Sequence, residues 1–173
     1  LLLTGARGFV GQRLLHSLEE KDKRIKVRLI SRRLHKKHET VIRDLQTDSI
    51  TSDVLRGVDT VFHLAGNAHV MQESRNIDNL YRSLNVTATV RLAELAVERG
   101  IKRFVFVSSV KAGGNDEFDK GCQPKGVYGQ TKREAELKIL EIGRQSGMHI
   151  SIVRPCLVYG DGVKGNLALM FKG

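Results

Sequence analysis

Tyr128 and Lys132 stand four residues apart in Tyr128-Gly129-Gln130-Thr131-Lys132. On a helix they share one face. A Lys ammonium beside a phenol stabilises the phenolate, lowers the Tyr pKa and lets Tyr exchange protons near neutrality. Tyr-x-x-x-Lys arises often by chance, and in isolation a surface pair is the default. Here it follows an apolar run, Phe104-Val105-Phe106-Val107, that ends in Ser108-Ser109. Carboxyl ends of parallel strands are where ligands bind in open α/β sheets, so a Ser hydroxyl there can orient a reacting oxygen beside the phenol. Ser109 is the chosen partner of Tyr128. Ser108 is expected to satisfy backbone groups, and strand-terminal turn chemistry stays open for both.

A glycine turn is the second constellation. Thr4-Gly5-Ala6-Arg7-Gly8-Phe9-Val10-Gly11 spaces three glycines evenly between an apolar run and a helical pattern. The first glycine permits a tight turn, the next lets a pyrophosphate approach the backbone, and the last lets helix and strand pack closely. The helix start offers free N–H groups to the anion. About 20 residues on, NAD would need an acid for its ribose 2′-hydroxyl. Ser31-Arg32-Arg33 stands there instead. Forked guanidinium–phosphate pairing favours NADP over NAD. The alternative is that Arg32 and Arg33 stack on adenine or face water. Asp44 is placed to accept a hydrogen bond from the adenine amino group.

Other candidates carry less. His63 lies in an apolar strand and reads as a satisfied core histidine. His16, His35, His38 and His69 show no metal spacing, so no metal is expected. Glu134 and Glu136 read as a solvated helix face. Cys122 and Cys156 are far apart and give neither a disulfide framework nor a zinc pattern, which fits a reducing, cytoplasmic setting. Lys and Arg number 29 against 19 acids. Much of that excess lies between Lys21 and Lys37, and a solvated face is preferred over a nucleic-acid surface. Attraction for an anionic small molecule is a third reading. Aromatics make up only 5% of the chain, against a base-stacking platform. No apolar run approaches the roughly 20 residues of a membrane span, and no signal peptide is expected at the start.

The elements that must position these groups alternate along the chain. Strands are expected at Leu1–Thr4, Ile25–Ser31, Val41–Leu45, Val61–Leu64, Phe104–Val107 and Ile150–Val153. Helices are expected at Phe9–Leu18, Leu80–Arg99 and Val127–Arg144, with a short one at Ser52–Arg56. Strands that read as continuous apolar runs are buried on both faces. The expectation is an α/β fold: one Rossmann-type, doubly wound parallel sheet with helices on both faces, forming a dinucleotide-binding domain over residues 1–173.

Together these residues resemble the extended short-chain dehydrogenase/reductase family, the nucleotide-sugar epimerases and dehydratases, over essentially the whole chain. The glycine turn, Asp44-Leu45, His63-Leu64-Ala65-Gly66, Asn85, Ser108-Ser109, Tyr128 to Lys132, and Arg154-Pro155 followed by Val158-Tyr159-Gly160 carry the resemblance. His69-Val70-Met71, Ser108-Ser109-Val110-Lys111 and Gly162-Val163-Lys164-Gly165-Asn166 look most like a branch of UDP-glucose 4-epimerase-like proteins and reductases of UDP-linked 4-keto-N-acetylhexosamines.

The resemblance implies that Gly5, Arg7, Gly8, Phe9, Val10 and Gly11 meet the cofactor, with Ser31, Arg32, Arg33, Asp44 and Leu45 around its adenosine half. Leu64, Ala65, Gly66, Val107 and Pro155 would line it, and Asn85 would be structural or cofactor-adjacent. Lys132 would hold the nicotinamide ribose, Ser109 would meet substrate, and Asn166 would hold the nucleotide-sugar diphosphate. A homodimer built from the Leu80–Arg99 and Val127–Arg144 helices is implied, and a cytoplasmic role in cell-surface polysaccharide biosynthesis. The implied reaction is reversible hydride transfer at C4 of a UDP-hexose or UDP-N-acetylhexosamine, by epimerisation or ketone reduction. The alternatives are reduction of another ketone, such as a steroid or flavonoid, and a dinucleotide sensor without catalysis. Two departures stand out. Ala112-Gly113-Gly114 replaces the family's Val-Tyr-Gly or Val-Asn-Gly, and the family's C-terminal substrate domain is expected to be absent from this chain.

Overall fold

Branched and aromatic runs of three to five residues make the strands: β1 Leu2–Thr4, β2 Arg28–Ser31, β3 Glu39–Ile42, β4 Thr60–His63, β5 Arg103–Val107 and β6 His149–Val153. The computed structural model describes residues 1–68, 77–113 and 123–160. All six strands pair in parallel, in the order β3-β2-β1-β4-β5-β6. The order reverses between β1 and β4, and this opens a crevice beyond their carboxyl ends. The chain has the Rossmann-like parallel sheet that its alternating pattern predicts.

Successive strand residues point to opposite faces. Leu2 and Leu3 are therefore both fully buried, in different cores. Leu2 joins Ile30, Val61, Phe104 and Phe106 beneath helices α3 (Thr89–Glu98) and α4 (Gly126–Ser146). Leu3 joins Leu29 and Leu15 of helix α1 (Phe9–Lys21) on the other face. Among the described residues no helix is long and apolar enough to cross a membrane.

Three details differ from the sequence expectation. β2 begins at Arg28 rather than Ile25, because Ile25 and Lys26 spend their backbone groups on the Asp22 carbonyl and the Leu1 amine. β3 ends at Ile42, so Asp44 and Leu45 fall in a turn, where the Asp44 carboxylate accepts from Gln46 N at 3.0 Å. The expected single helix over Leu80–Arg99 is instead α2 (Ile77–Arg82), a π-helical turn (Ser83–Ala88) and α3. A wide turn inside a helix is uncommon and concentrates at functional sites. Here it buries Asn85, Val86 and Ala88.

The acids on α4 also require a correction. Glu136 is fully buried, not solvated. Arg154 donates to it twice, at 2.9 and 2.7 Å, and Arg133 lies 3.3 Å away. A buried carboxylate is tolerated only when paired this fully. The pairing ties the exit of β6 to α4. Glu134 is partly exposed and bridges Arg82 to Lys138, joining α2 to α4.

His63 is the satisfied core histidine expected from its apolar strand. It is fully buried, stacks on Phe106 at 5.8 Å, and reaches Thr4 Oγ1 at 2.7 Å and Thr89 Oγ1 at 2.9 Å. Burial, with a smaller push from Lys132, lowers its pKa to about 3. The unfolded chain therefore binds a proton at His63 below its ordinary range while the folded chain does not, so stability is lost as pH falls through that window. The urea midpoint of the full-length protein should drop from about pH 6.5 downward, His63 contributing up to about 1.4 kcal/mol per pH unit. A midpoint that stays flat between about pH 7 and about pH 5 would contradict a neutral buried His63.

Candidate functional site

The crevice holds a cavity of about 780 Å³. Its floor is the glycine turn, with Gly5, Arg7 and Gly8 on the lining. Gly5 has φ +71°, a conformation that disfavours any other residue, and a Cβ there would come within 2.6 Å of Ala65 N. A Cβ on Gly11 would overlap the Gly5 carbonyl oxygen, so Gly11 is what lets α1 press onto the turn. No side chain caps the start of α1 at Gly8. Its leading N–H groups thus remain available to an anion. Phe9 and Val10 do not line the cavity; Val10 is exposed and Arg13 sits over the Phe9 ring at 5.9 Å.

One side of the cavity is strongly basic. Ser31, Arg32 and Arg33 follow β2, and Arg43, Asp44 and Leu45 follow β3. The Arg32 side chain is 80% exposed and lies 4.0 Å from the Asp44 carboxylate. Arg43 has the same source as its neighbours, a basic residue just past a strand end, and sequence reasoning passed over it. Leu64, Ala65 and Gly66, at the exit of β4, form the opposite wall.

Asn85 does not line this cavity but braces it. Its side-chain oxygen accepts from Asn67 N at 2.8 Å, and its amide donates to Asn67 O at 3.1 Å and to Thr131 Oγ1 at 3.2 Å. The Thr131 hydroxyl in turn donates to the Tyr128 carbonyl at 3.0 Å. Asn85 thus joins the loop after β4 to the helix that carries Tyr128 and Lys132. The π turn aims it inward; the apolar spacing of α3 gave no signal of that turn.

Tyr128, Lys132 and Ser109 converge where β5 ends. Gly129 makes this possible, since a Cβ there would overlap the Lys111 carbonyl. Helix α4 therefore lies directly on the short 3₁₀ turn Val110–Ala112, which Ser109 caps by accepting from Lys111 N at 3.2 Å. Val110 N donates to the Pro155 carbonyl at 3.2 Å, so Pro155 supports this turn. The Ser109 hydroxyl also acts on the Tyr128 phenol, lowering its pKa against the effect of burial. Ser108 does not satisfy backbone groups as expected: its buried hydroxyl has no partner among the described residues. β5 ends one residue earlier, and the Ser108 side chain turns into the interior while its N–H takes the Val153 carbonyl.

Lys132 is 3% exposed. Its ammonium donates to the Val107 carbonyl at 2.9 Å and lies 4.5 Å from the centre of the Phe106 ring. Burial lowers its pKa to about 8 against an opposing pull from Glu136. A Cβ on Gly66 would come within 3.1 Å of that ammonium, which puts Lys132 against the cavity wall. The expectation that Lys132 lowers the Tyr128 pKa is not met in this state. Burial raises the phenol above its usual range, the Ser109 hydrogen bond opposes the rise, and Tyr81 adds to it. The Lys132 charge is spent on Val107 and Phe106, with α4 holding the two side chains a full turn apart.

His69-Val70-Met71, Gly114, Cys122 and the segment Gly162 to Asn166 lie outside the described residues. Cys156 is free and exposed. Among the described residues no group of His, Cys, Asp and Glu could hold a metal ion.

Known proteins are similar to this chain in sequence and fold. UDP-glucose 4-epimerase of Vibrio cholerae is 35% identical across 99% of this chain and 56% of its own length. A 3-beta-hydroxysteroid dehydrogenase of Mycolicibacterium neoaurum is 30% identical across 94% of this chain and 48% of its own. The solved complex of MoeE5 with UDP-glucose and NAD superposes with a TM-score of 0.79 at 32% identity, over 94% of this chain and 56% of that one. The chain thus spans about half the length of the relatives it matches. Residues 1–171 match the NAD dependent epimerase/dehydratase family, and the chain belongs to it.

Proposed function

We propose that the protein transfers hydride reversibly at C4 of a UDP-linked hexose or N-acetylhexosamine. The observation that carries this reading is the approach of Lys132, on the helix that also carries Tyr128, to Gly66 on the wall of the crevice. The residues present fit a nicotinamide dinucleotide: the Gly5 turn leaves room that a Cβ would fill, and the start of α1 offers uncapped donors. The glycine turn would hold the pyrophosphate, and the Leu64–Gly66 wall would flank the nicotinamide half. That group, when bound, accepts and returns the hydride.

The chain's own side chains handle the proton. Tyr128 stays protonated at neutral pH, so its hydroxyl can donate to a C4 ketone oxygen, or take the C4 hydroxyl proton once its pKa falls. Ser109, whose hydroxyl acts on the phenol, would orient that oxygen from the other side. Lys132, charged below about pH 8, holds positive charge against the Gly66 wall, where the nicotinamide ribose would lie. Epimerisation and ketone reduction make the same demand on these three residues. The steroid dehydrogenase relative supports a second reading, in which the ketone belongs to an apolar ring system. Turnover of a UDP-hexose and not of a 3-beta-hydroxysteroid by the full-length protein would separate the two.

In the full-length protein, Tyr128→Phe should lower hydride transfer by about 10²–10⁴-fold, the usual contribution of a general acid–base group. Cofactor affinity should stay within a few-fold, and near-normal turnover in that variant would remove Tyr128 from the mechanism. On the adenosine side, Arg32 and Arg33 support NADP, while the Asp44 carboxylate beside Arg32 and the NAD in MoeE5 support NAD. An exposed guanidinium is well screened, so NADP should bind no more than about tenfold tighter than NAD. Paired titrations should show Arg32→Ala and Arg33→Ala weakening NADP but not NAD. Strict NAD selectivity unchanged by either substitution would return both arginines to the surface. We also place a homodimer on α4, which exposes Leu137 and Leu140. Sedimentation of the full-length protein should give a dimer that Leu137→Glu dissociates, and a monomer at all concentrations would contradict it.

A further inference from the structure

His63 touches neither the cavity nor the Tyr128–Lys132 pair, yet the positions of its hydrogen-bond partners leave it one arrangement of protons. Thr89 donates its hydroxyl to the Asn85 carbonyl at 2.9 Å. Its oxygen must then accept from His63, so Nε2 carries the proton at 2.9 Å. On the other side, Thr4 Oγ1 accepts from Leu64 N at 3.2 Å and Ala65 N at 3.1 Å. The Leu64 N–H is shared with the Thr4 carbonyl at 3.3 Å while the Ala65 N–H is not, and the Thr4 hydroxyl proton goes to His63 Nδ1 at 2.7 Å. The result is a continuous relay: the Leu64 and Ala65 amides to Thr4, Thr4 to His63, His63 to Thr89, Thr89 to the Asn85 backbone.

The relay is a second tie between two parts of the site, beside the Asn85–Asn67 hydrogen bonds. Leu64 and Ala65 are the cavity wall; Asn85, through Thr131, is anchored to the Tyr128 carbonyl. We propose that His63, with Thr4 and Thr89, is a positioning residue that sets the cofactor wall at Leu64–Ala65 relative to the π turn and hence to the Tyr128–Lys132 helix. This rests on the hydride-transfer reading above. Core filling does not require an imidazole at this place. Replacing a hydrogen-bonded trio by apolar groups of the same shape is often nearly neutral for stability, whereas a fully satisfied buried network specifies one geometry. Hydride transfer needs that geometry: a displacement of about 1 Å can cost about 10²-fold in rate. The neutral state that burial imposes on His63 agrees with the relay, since an imidazolium would turn a second donor onto a Thr4 oxygen that already faces two amides.

The test uses the full-length protein with bound NAD, a UDP-hexose and its C4-deuterated form, read by single-turnover absorbance of the nicotinamide. Thr89→Val should slow hydride transfer by about 10- to 100-fold and enlarge the deuterium effect. Cofactor Kd and sugar KM should stay within about threefold, the signature of an interaction felt mainly in the transition state. Thr89→Ser, which keeps the hydroxyl, should recover most of the rate. Imidazole ¹⁵N spectra of the unmutated protein should show His63 as a single neutral tautomer protonated on Nε2. A proton on Nδ1, exchange between tautomers, or a normal rate in Thr89→Val would overturn this inference alone. Absence of hydride transfer in the unmutated protein would overturn the functional reading, and this inference with it.

Discussion

A lysine ammonium in a nearly dry interior is costly unless something holds it. Lys132 has one carbonyl, from Val107, and one aromatic face, from Phe106, and even so burial drags its pKa down to about 8. Such a group stays charged at neutral pH only if its partners do not move. Both partners belong to β5, and the lysine itself belongs to α4. The seating of α4 on the end of β5 is therefore the constraint that the rest of the site depends on.

Several otherwise odd features serve that seating. Gly129 gives the helix room on the Lys111 carbonyl and so brings the phenol to Ser109. One turn beyond Lys132, Glu136 gives up solvent to clamp Arg154 at the exit of β6. Arg82 and Glu134 join α2 to the same helix, and Asn85 joins it to the loop after β4. Each tie lies between elements far apart in sequence, so the geometry of Tyr128 and Lys132 is a property of the folded sheet, not of the five-residue motif. The raised phenol pKa fits the same view. A site held dry and rigid favours the neutral phenol until positive charge or substrate shifts the balance.

The architecture was legible because parallel strands buried on both faces leave unbroken apolar runs, and Phe104-Val105-Phe106-Val107 is one. The glycine turn and the Tyr128–Lys132 spacing were legible for a related reason: close approach and a shared helix face restrict residue type at fixed intervals. What stayed hidden depends on partners distant in sequence. Nothing local to Glu136 announces Arg154, so it read as a solvated acid. Nothing in Leu80–Arg99 announces a π turn, because one extra residue in a turn leaves the apolar spacing of α3 intact. Asn85 could be found as a motif residue, but its bracing of Asn67 and Thr131 could not. The effect of Lys132 on Tyr128 was misjudged because spacing says which side chains share a face and not which carbonyl takes the charge.

The central claim is that hydrogen leaves C4 of a nucleotide-linked sugar beside Tyr128 and enters a nicotinamide held on the glycine turn. Its most direct measurement is isotopic. Full-length protein is mixed with UDP-hexose deuterated at C4 and quenched within one turnover, and the cofactor is recovered for mass spectrometry. The account predicts deuterium in the nicotinamide ring of the unmutated protein and none in Tyr128→Phe. Epimerised or 4-keto sugar with no deuterium ever appearing in the cofactor would contradict it.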